Sequence, residues 1–489
     1  MAIVALGSGA VKGQTASPHP PVPSPPAPTA TATGPRLPIS LADAVFIGLR
    51  DNRTVKSAYI TRVAEKYDLY VAKGRFYPTA LLEASTEASR QGGVFGTTTT
   101  LTPTATWLIP TGAQFEFSWS RLDFHAGGID EGTDIASLSL TQPLLRGAGI
   151  AVNAAPIKIA ELQEKINRLS LKSTVSTTVT SIIVAYRALL QAQEQLTIAG
   201  QSLQRSQEQL ETNQALIDAG RMAAAEIVQT QADIASQQVA LLESEQQRNS
   251  AQLALLILLA MDPHTNVTAA DPLKTDHVAI DLDQAIAIAL GNRPDYLSQR
   301  SALGQARQSL IVAKNNRLWN LSVTGGVEHQ SDRGGLVPID PKTGLPIPGL
   351  NGFNESVGLQ LSVPLGDRTL AQGEVQATTS VRTQENQLAD LRAQIEAQVR
   401  DAVQGVELTW RQVDAARRAR DLAARTLDLE REKLKAGRAA NFEVLSFETS
   451  LRVADTQTLS ASIAYLDALT LLDQELGTTL DTWKVSLND

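Results

Sequence analysis

The chain of 489 residues contains no cysteine. That excludes disulfide staples, thiolate nucleophiles and lipid attachment through an N-terminal cysteine, and it leaves the redox compartment unmarked. Aromatic residues are scarce, at 4%. Thick globular cores use more; the prevailing Ala, Gln and Leu suit long helices with narrow seams. Positive charge is not in surplus either. The net charge of −8 provides no global basic field for nucleic acid or anionic lipid. Long apolar runs are missing. The longest strictly apolar stretch, Leu253 to Met261, has nine residues, too few for a spanning helix. Any membrane crossing must therefore be made by strands. The five histidines, His19, His125, His264, His277 and His329, fall in the tail, loops or a strand and show no HxxxH or HxxE spacing. Nothing resembles GxSxG or a P-loop. No catalytic, cofactor-binding or metal-ligating residue is assigned, and the chain reads as a non-enzyme.

The opening MAIVALGSGAV is a short apolar stretch followed by small residues, with no basic residue before it. Residues 1–17 read as a truncated export signal or as a disordered tail. Gly7 and Gly9 form a GxG, but no strand precedes them. Residues 18–38 hold nine prolines and are expected to form a stiff, extended linker.

What the chain has is repetition. ISLADAVFIGLRDNR from Ile39 returns as IDLDQAIAIALGNR from Ile280, at an offset of 241, and Val71-Ala72-Lys73 matches Val312-Ala313-Lys314 at the same offset. AGRMAAAEIV from Ala219 returns as AGRAANFEVL from Ala436, at an offset of 217 that persists to Leu259 and Leu476. Landmarks shared in one order indicate a duplicated unit. The first repeat spans 39–270 and the second 279–477, with a tail at 478–489.

Each repeat has the same plan. A helix comes first, Leu41 to about Phe76 and Leu282 to about Arg317, with Asp43 and Asp283 in the first turn, where a carboxylate suits the free N–H groups. A β section follows, at about 79–143 and about 321–364. Leu321, Val323 and Val327, and then Val357, Leu359, Leu361 and Val363, alternate as a strand does. The first repeat adds a hairpin in which Phe115, Phe117 and Trp119 alternate with Glu116, Ser118 and Ser120. Five of the chain's 21 aromatics lie between Trp107 and Phe124. That clustering fits a lipid-facing strand, and it fits a half-buried sheet equally well. Long helices come next, from about Pro156 to Asp218 and from Ala371 to Lys435. Leu388, Leu391, Ile395, Val399, Val403, Val406, Trp410 and Val413 mark a coiled-coil seam on the second, and a rod of this length measures roughly 100 Å. At Gly220 and Gly437 each rod stops, since glycine takes the left-handed conformation that ends a helix. The tips lie at about 219–222 and 436–439, and the return helices run from Ala223 to Met261 and from Asn441 to Gly477. The fold class is mainly α with a small β section: long antiparallel helical hairpins plus β-hairpins, in a duplicated half-unit.

Opening and return helices laid end to end match the long rod, so each chain offers four columns and four or six strands. Such a thin wall has little interior. About eight strands are the usual minimum for a barrel, and open strand edges are forbidden in lipid, so closure requires sister copies.

The duplicated plan, NRPDYL from Asn292, TQPLLRG from Thr141 and the paired tip signatures (Gly220 with Glu226-Ile227-Val228, Gly437 with Glu443-Val444-Leu445) together resemble the TolC-like outer-membrane efflux protein family over residues 39 to about 477. The resemblance implies a homotrimer that shares one transmembrane β-barrel with a helical tunnel through the periplasm. It implies a passive exit duct of a tripartite efflux or type I secretion system, partnered by a periplasmic adaptor protein, indirectly by an inner-membrane pump, and by outer-membrane lipid. It places adaptor contact at Ala219, Gly220, Arg221, Ala436, Gly437 and Arg438. Periplasmic gate positions fall at Glu443, Ser446 and Glu226. Ser446 stands where the family carries a second acid, Leu434 where it carries a tyrosine, and Asn52-Arg53 where it has Asn-Pro. On the residues alone, Arg221 and Arg438 could serve the carbonyls of the preceding helix end, and Glu226 and Glu443 could be first-turn acids. The alternative reading of the whole chain is a soluble periplasmic coiled-coil scaffold or adaptor.

Overall fold

A computed structural model describes residues 37–334 and 352–487. The expected export signal, most of the proline-rich linker and the Gly/Pro-rich loop of the second β section lie outside the described residues. In chain order the elements are β1 (Leu37–Ile39), α1 (Leu41–Asp51), α2 (Arg53–Lys73), β2 (Thr79–Gln91), β3 (Val94–Leu108), β4 (Gln114–Ala126), β5 (Ile129–Pro143), the short α3 (Ile150–Asn153), α4 (Ala155–Asp218), α5 (Glu226–Leu258) and β6 (Val267–Ala269). The second half follows with α6 (Leu282–Asn292), α7 (Pro294–Asn316), β7 (Asn320–Arg333), β8 (Gly352–Ser362), α8 (Thr369–Lys435), α9 (Asn441–Leu476) and α10 (Thr479–Thr482).

The repeat is visible in the element bounds. At the offset of 241, α1 and α6 coincide at both ends, and α7 and β7 start where α2 and β2 do. Each opening helix, expected as continuous, is broken after 11 residues. Asn52 makes the first break. Its side chain accepts from the N–H groups of Thr54 and Val55, which caps α2, and its Nδ2 donates to the carbonyl of Leu258 at 2.8 Å. Arg293 makes the second break before Pro294, a residue suited to a first helical turn, and its guanidinium reaches Glu475 and Gln398. Each break thus sits where the return helix ends. The helix starts are capped: Ser40 and Asp43 form a capping box, and Asp281 accepts from Gln284.

The helices form one layer of four columns. The long α4 contacts α2 and α5 on one side and α7 and α9 on the other, and α8 packs against α7 and α9 from the far side. The apolar interior concentrates where opening and return helices meet. Ile182, Ile183, Tyr186 and Leu189 of α4 pack with Ala44, Val55, Leu255 and Leu259, all fully or nearly fully buried. This joint holds a stretch of α4 that would pass as a membrane span by length and composition, half of it buried inside the protein. Ala402, Val406, Val413, Tyr465 and Leu472 form its counterpart in the second half.

Two segments depart from expectation at this joint. Leu37–Ile39 belongs to a strand, not to the linker, and pairs in parallel with Val267–Ala269. Tyr186 fastens this clasp: its hydroxyl hydrogen-bonds the Ile39 carbonyl at 3.0 Å and the Asp271 carboxylate at 2.7 Å. Burial, reinforced by Asp271, pushes its pKa up to about 12. The C-terminal tail also contributes, since α10 packs Leu480 and Trp483 against the same core.

The β section is one six-stranded antiparallel sheet in the order β2-β3-β4-β5-β7-β8. The extra hairpin of the first repeat, β3–β4, lies inside this sheet, so the strand count per chain is six. β3 starts at Val94, well before the aromatic cluster that begins at Trp107. Its threonine run, Thr97 to Thr100, hides the alternation that would have marked it, though β-branched residues suit a pleated surface.

Candidate functional site

The tips are built as the glycine spacing requires. Gly220 (φ 67°) and Gly437 (φ 72°) are left-handed. In each, the following arginine N–H reaches back five residues, Arg221 to the Leu216 carbonyl and Arg438 to the Lys433 carbonyl, both at 2.8 Å. This is the Schellman closure of a helix end. A side chain at either glycine would be strained by its φ.

The arginine side chains do not serve their own helix ends. Arg221 Nη2 donates to the carbonyl of Lys435 at 2.9 Å, so the first tip holds the last turn of the second rod. It lies over Gly437, where a Cβ would stand 3.6 Å from the guanidinium. Arg438 makes no side-chain hydrogen bond or ion pair of this kind among the described residues. Glu443 folds back to accept from the Ala440 N–H at 3.1 Å, in the manner of a first-turn acid. Glu226 opens α5, and Ser446 is exposed one turn into α9.

Behind the tips lies a feature that sequence reasoning missed. Asn213 of α4, Thr230 of α5 and Asn441 at the start of α9 are each fully buried. Asn213 Nδ2 donates to Thr230 Oγ1 and to Asn441 Oδ1, both at 2.8 Å, and Asn441 Nδ2 donates to Thr230 Oγ1 at 3.0 Å. Gln209 joins through Asn213 at 2.8 Å. This polar knot ties the two hairpins together. Two turns deeper along α9 and α4, Arg431 pairs with the buried Glu448 at 2.7 Å, and Ser206 donates to Asp233 at 2.6 Å. Burial is the largest influence on Glu448 and raises its pKa, against the opposing pull of Arg431 and Arg205. The second hairpin's own seam stays apolar here, with Leu427, Leu434, Val444 and Leu451 packed together. Nothing in the sequence separates a buried asparagine from a surface one on a polar helix, which is why the knot was not anticipated.

At the other end, the sheet has two unlike faces. Trp107, Phe115, Leu140, Gly325 and Val357 align across five strands, and Ala105, Phe117, Leu138 and Val327 form the next row. Trp107 and Phe115 stack with ring centroids 5.6 Å apart. Trp119 belongs to the row after that, opposite Ala136 and in line with His329. The opposite face carries Thr102, Thr104, Ser118, Ser137 and Ser139. Toward the distal end the apolar face gives way to an ionic cluster of Arg121, Asp123, Asp134 and Arg333.

Residues 49–260 match the family model described as outer membrane efflux protein. That segment is thus similar to the outer membrane efflux protein family. The second half repeats its element order, and whole-chain comparisons extend the likeness to both halves. The outer membrane protein VceC from Vibrio cholerae superposes with a TM-score of 0.67 over 89% of this chain and 96% of its own, at 15% identity. The MtrE channel of Neisseria gonorrhoeae, in its open state, gives 0.65 over 90% and 89%, at 16% identity. At that identity the likeness establishes the fold. In sequence, the outer membrane efflux protein BepC of Brucella suis is 24% identical over 327 residues. The chain spans about two thirds of that relative's length, 66%, and the alignment uses 65% of this chain. The efflux-protein fold thus accounts for the duplicated hairpins, the joint and the single sheet.

Proposed function

We propose that three copies of this chain close into a hollow conduit, with their sheets forming a shared barrel in the outer membrane and their helices a tunnel through the periplasm. The conduit is a passive exit duct. A periplasmic adaptor engages the tips around Gly220 and Gly437 and links them to an energised inner-membrane pump. The face of β4 that carries Phe115, Phe117 and Trp119 meets lipid.

One observation carries this reading: both outer columns of the helical wall present apolar stripes that no described residue covers. On α2, Ile60, Val63, Tyr67 and Tyr70 follow helical spacing and are each more than 60% exposed. On α8, at the opposite edge, Leu408, Leu422 and Leu429 are exposed to a similar degree. Exposed apolar surface of this extent marks an interface, and a wall with two such edges is complete only when closed on sister copies. The sheet repeats the pattern, with unpaired edges at β2 and β8 that lipid would not tolerate. The family-model match over residues 49–260 supports the efflux assignment over a soluble scaffold.

Cell fractionation combined with mass measurement of the purified oligomer tests the reading. A trimer in the outer-membrane fraction is expected. A protein confined to soluble fractions as a monomer would overturn it.

A further inference from the structure

We propose that the outer-membrane section of this conduit is an eighteen-stranded barrel, six strands from each of three copies, closed by β8 of one copy pairing antiparallel with β2 of the next. This rests on the trimeric reading above and specifies the width of its exit.

The hairpin β3–β4 is part of the wall. It occupies the interior of the sheet, flanked by β2 and β5, and is paired over its length on both sides. Its side chains continue both faces in register: Ala105 and Phe117 extend the apolar row of Leu138 and Val327, while Thr104 and Ser118 extend the polar one. A hairpin lying outside the barrel would have no reason to carry the same apolar and polar faces as the strands beside it. The unpaired edges fit each other. β2 offers 13 residues and β8 offers 11, and the alternation from β2 through β8 leaves them running in opposite directions, as an antiparallel junction requires. Both carry apolar residues on the same face, Leu82 on one and Val357, Leu359 and Leu361 on the other.

Width agrees. Strands spaced about 4.8 Å apart and tilted about 40° give a backbone diameter of about 36 Å for eighteen strands and about 24 Å for twelve. Twelve helical columns at an interaxial distance of about 8–10 Å close into a cylinder of roughly 31–38 Å. Eighteen strands therefore continue the helical tunnel at its own width. Barrels of this size leave an aqueous opening, lined here by the Thr/Ser face.

Because the chain has no cysteine, single introduced cysteines report cleanly. In planar bilayers, Thr104→Cys and Ser118→Cys channels treated with a charged, membrane-impermeant thiol reagent are expected to lose conductance in three steps, one per copy. Ala105→Cys is expected to show no loss. Electron cryomicroscopy of the wild-type trimer in nanodiscs is expected to show eighteen strands. Twelve strands with residues 94–126 outside the barrel, or unchanged conductance at both Thr104→Cys and Ser118→Cys, would overturn the wide barrel and leave the exit duct standing. A wild-type protein that forms no channel would overturn both.

Discussion

The joint and the tips of this molecule are packed from different materials. At the joint, Ile182, Ile183, Leu255 and Leu259 fill a continuous apolar core, and Tyr186 fastens a two-stranded clasp across it. At the tips, the contact between hairpins is made by Asn213, Thr230 and Asn441, with Arg431 and Glu448 two turns deeper. Apolar packing stabilises without direction and tolerates no alternative partner such as water. A polar knot holds one geometry when fully satisfied, and its groups accept water once it is parted. On the proposed function, this difference makes the joint the fixed hoop of the conduit and the tips the part that would separate.

Perturbing the joint is expected to have the largest effect. Ile182→Ala removes a fully buried side chain and should cost about 2–5 kcal/mol, read as a loss of trimer melting temperature with little change in the open-channel conductance of the protein that survives. At the tips, Asn441→Ala leaves Asn213 and Thr230 short of partners and should cost about 1–3 kcal/mol. Hydrogen exchange should quicken near residues 205–235 and 430–450 and stay unchanged at the joint. Replacing Gln209, Asn213, Thr230 and Asn441 together with apolar residues sharpens the comparison. Stability should then recover, while channel opening should become rarer because the tips no longer have a wet state to part into.

The pH response singles out Glu448. Its folded pKa is raised, chiefly by burial, so as pH falls from neutral through that value the folded tip binds a proton that the unfolded chain does not. Stability at the tip is therefore expected to rise as pH falls, levelling off near the unfolded value of about 4.3. Hydrogen exchange of peptides covering Glu448 at pH 7 and pH 5 checks the sign, and Glu448→Gln should flatten the response. The smallest effect belongs to Arg221→Ala. It removes one exposed hydrogen bond to the Lys435 carbonyl and should cost less than about 1 kcal/mol; bilayer recordings should show more frequent opening at unchanged conductance.

Periodic features were legible in the sequence. Repeats at 241 and 217, coiled-coil seams, alternating strands and the stop glycines each leave a local signal, and each appears where expected. Contacts that depend on distant partners left none. The break at Asn52 carries no proline, unlike its counterpart before Pro294; the Asn52 side chain caps α2 and is held by the distant Leu258 carbonyl. β1 reads as linker because its partner lies some 230 residues away. Capping its own helix end was one reading open for Arg221, yet its acceptor is on the other tip. The knot is invisible for the same reason: burial of a polar residue is a property of the assembled hairpins.

The repeat makes closure of the wall directly measurable. Within one chain α7 packs on α4, and a Cβ at Gly304 would stand 3.1 Å from Leu162. At the repeat offsets, Val63 on α2 is the counterpart of Gly304, and Thr379 on α8 is the counterpart of Leu162. The same contact should therefore form between copies. In a chain that carries Val63→Cys and Thr379→Cys, mild oxidation should yield covalent dimers and trimers on denaturing gels. Monomer alone, from protein shown to be oligomeric, would contradict the closed wall.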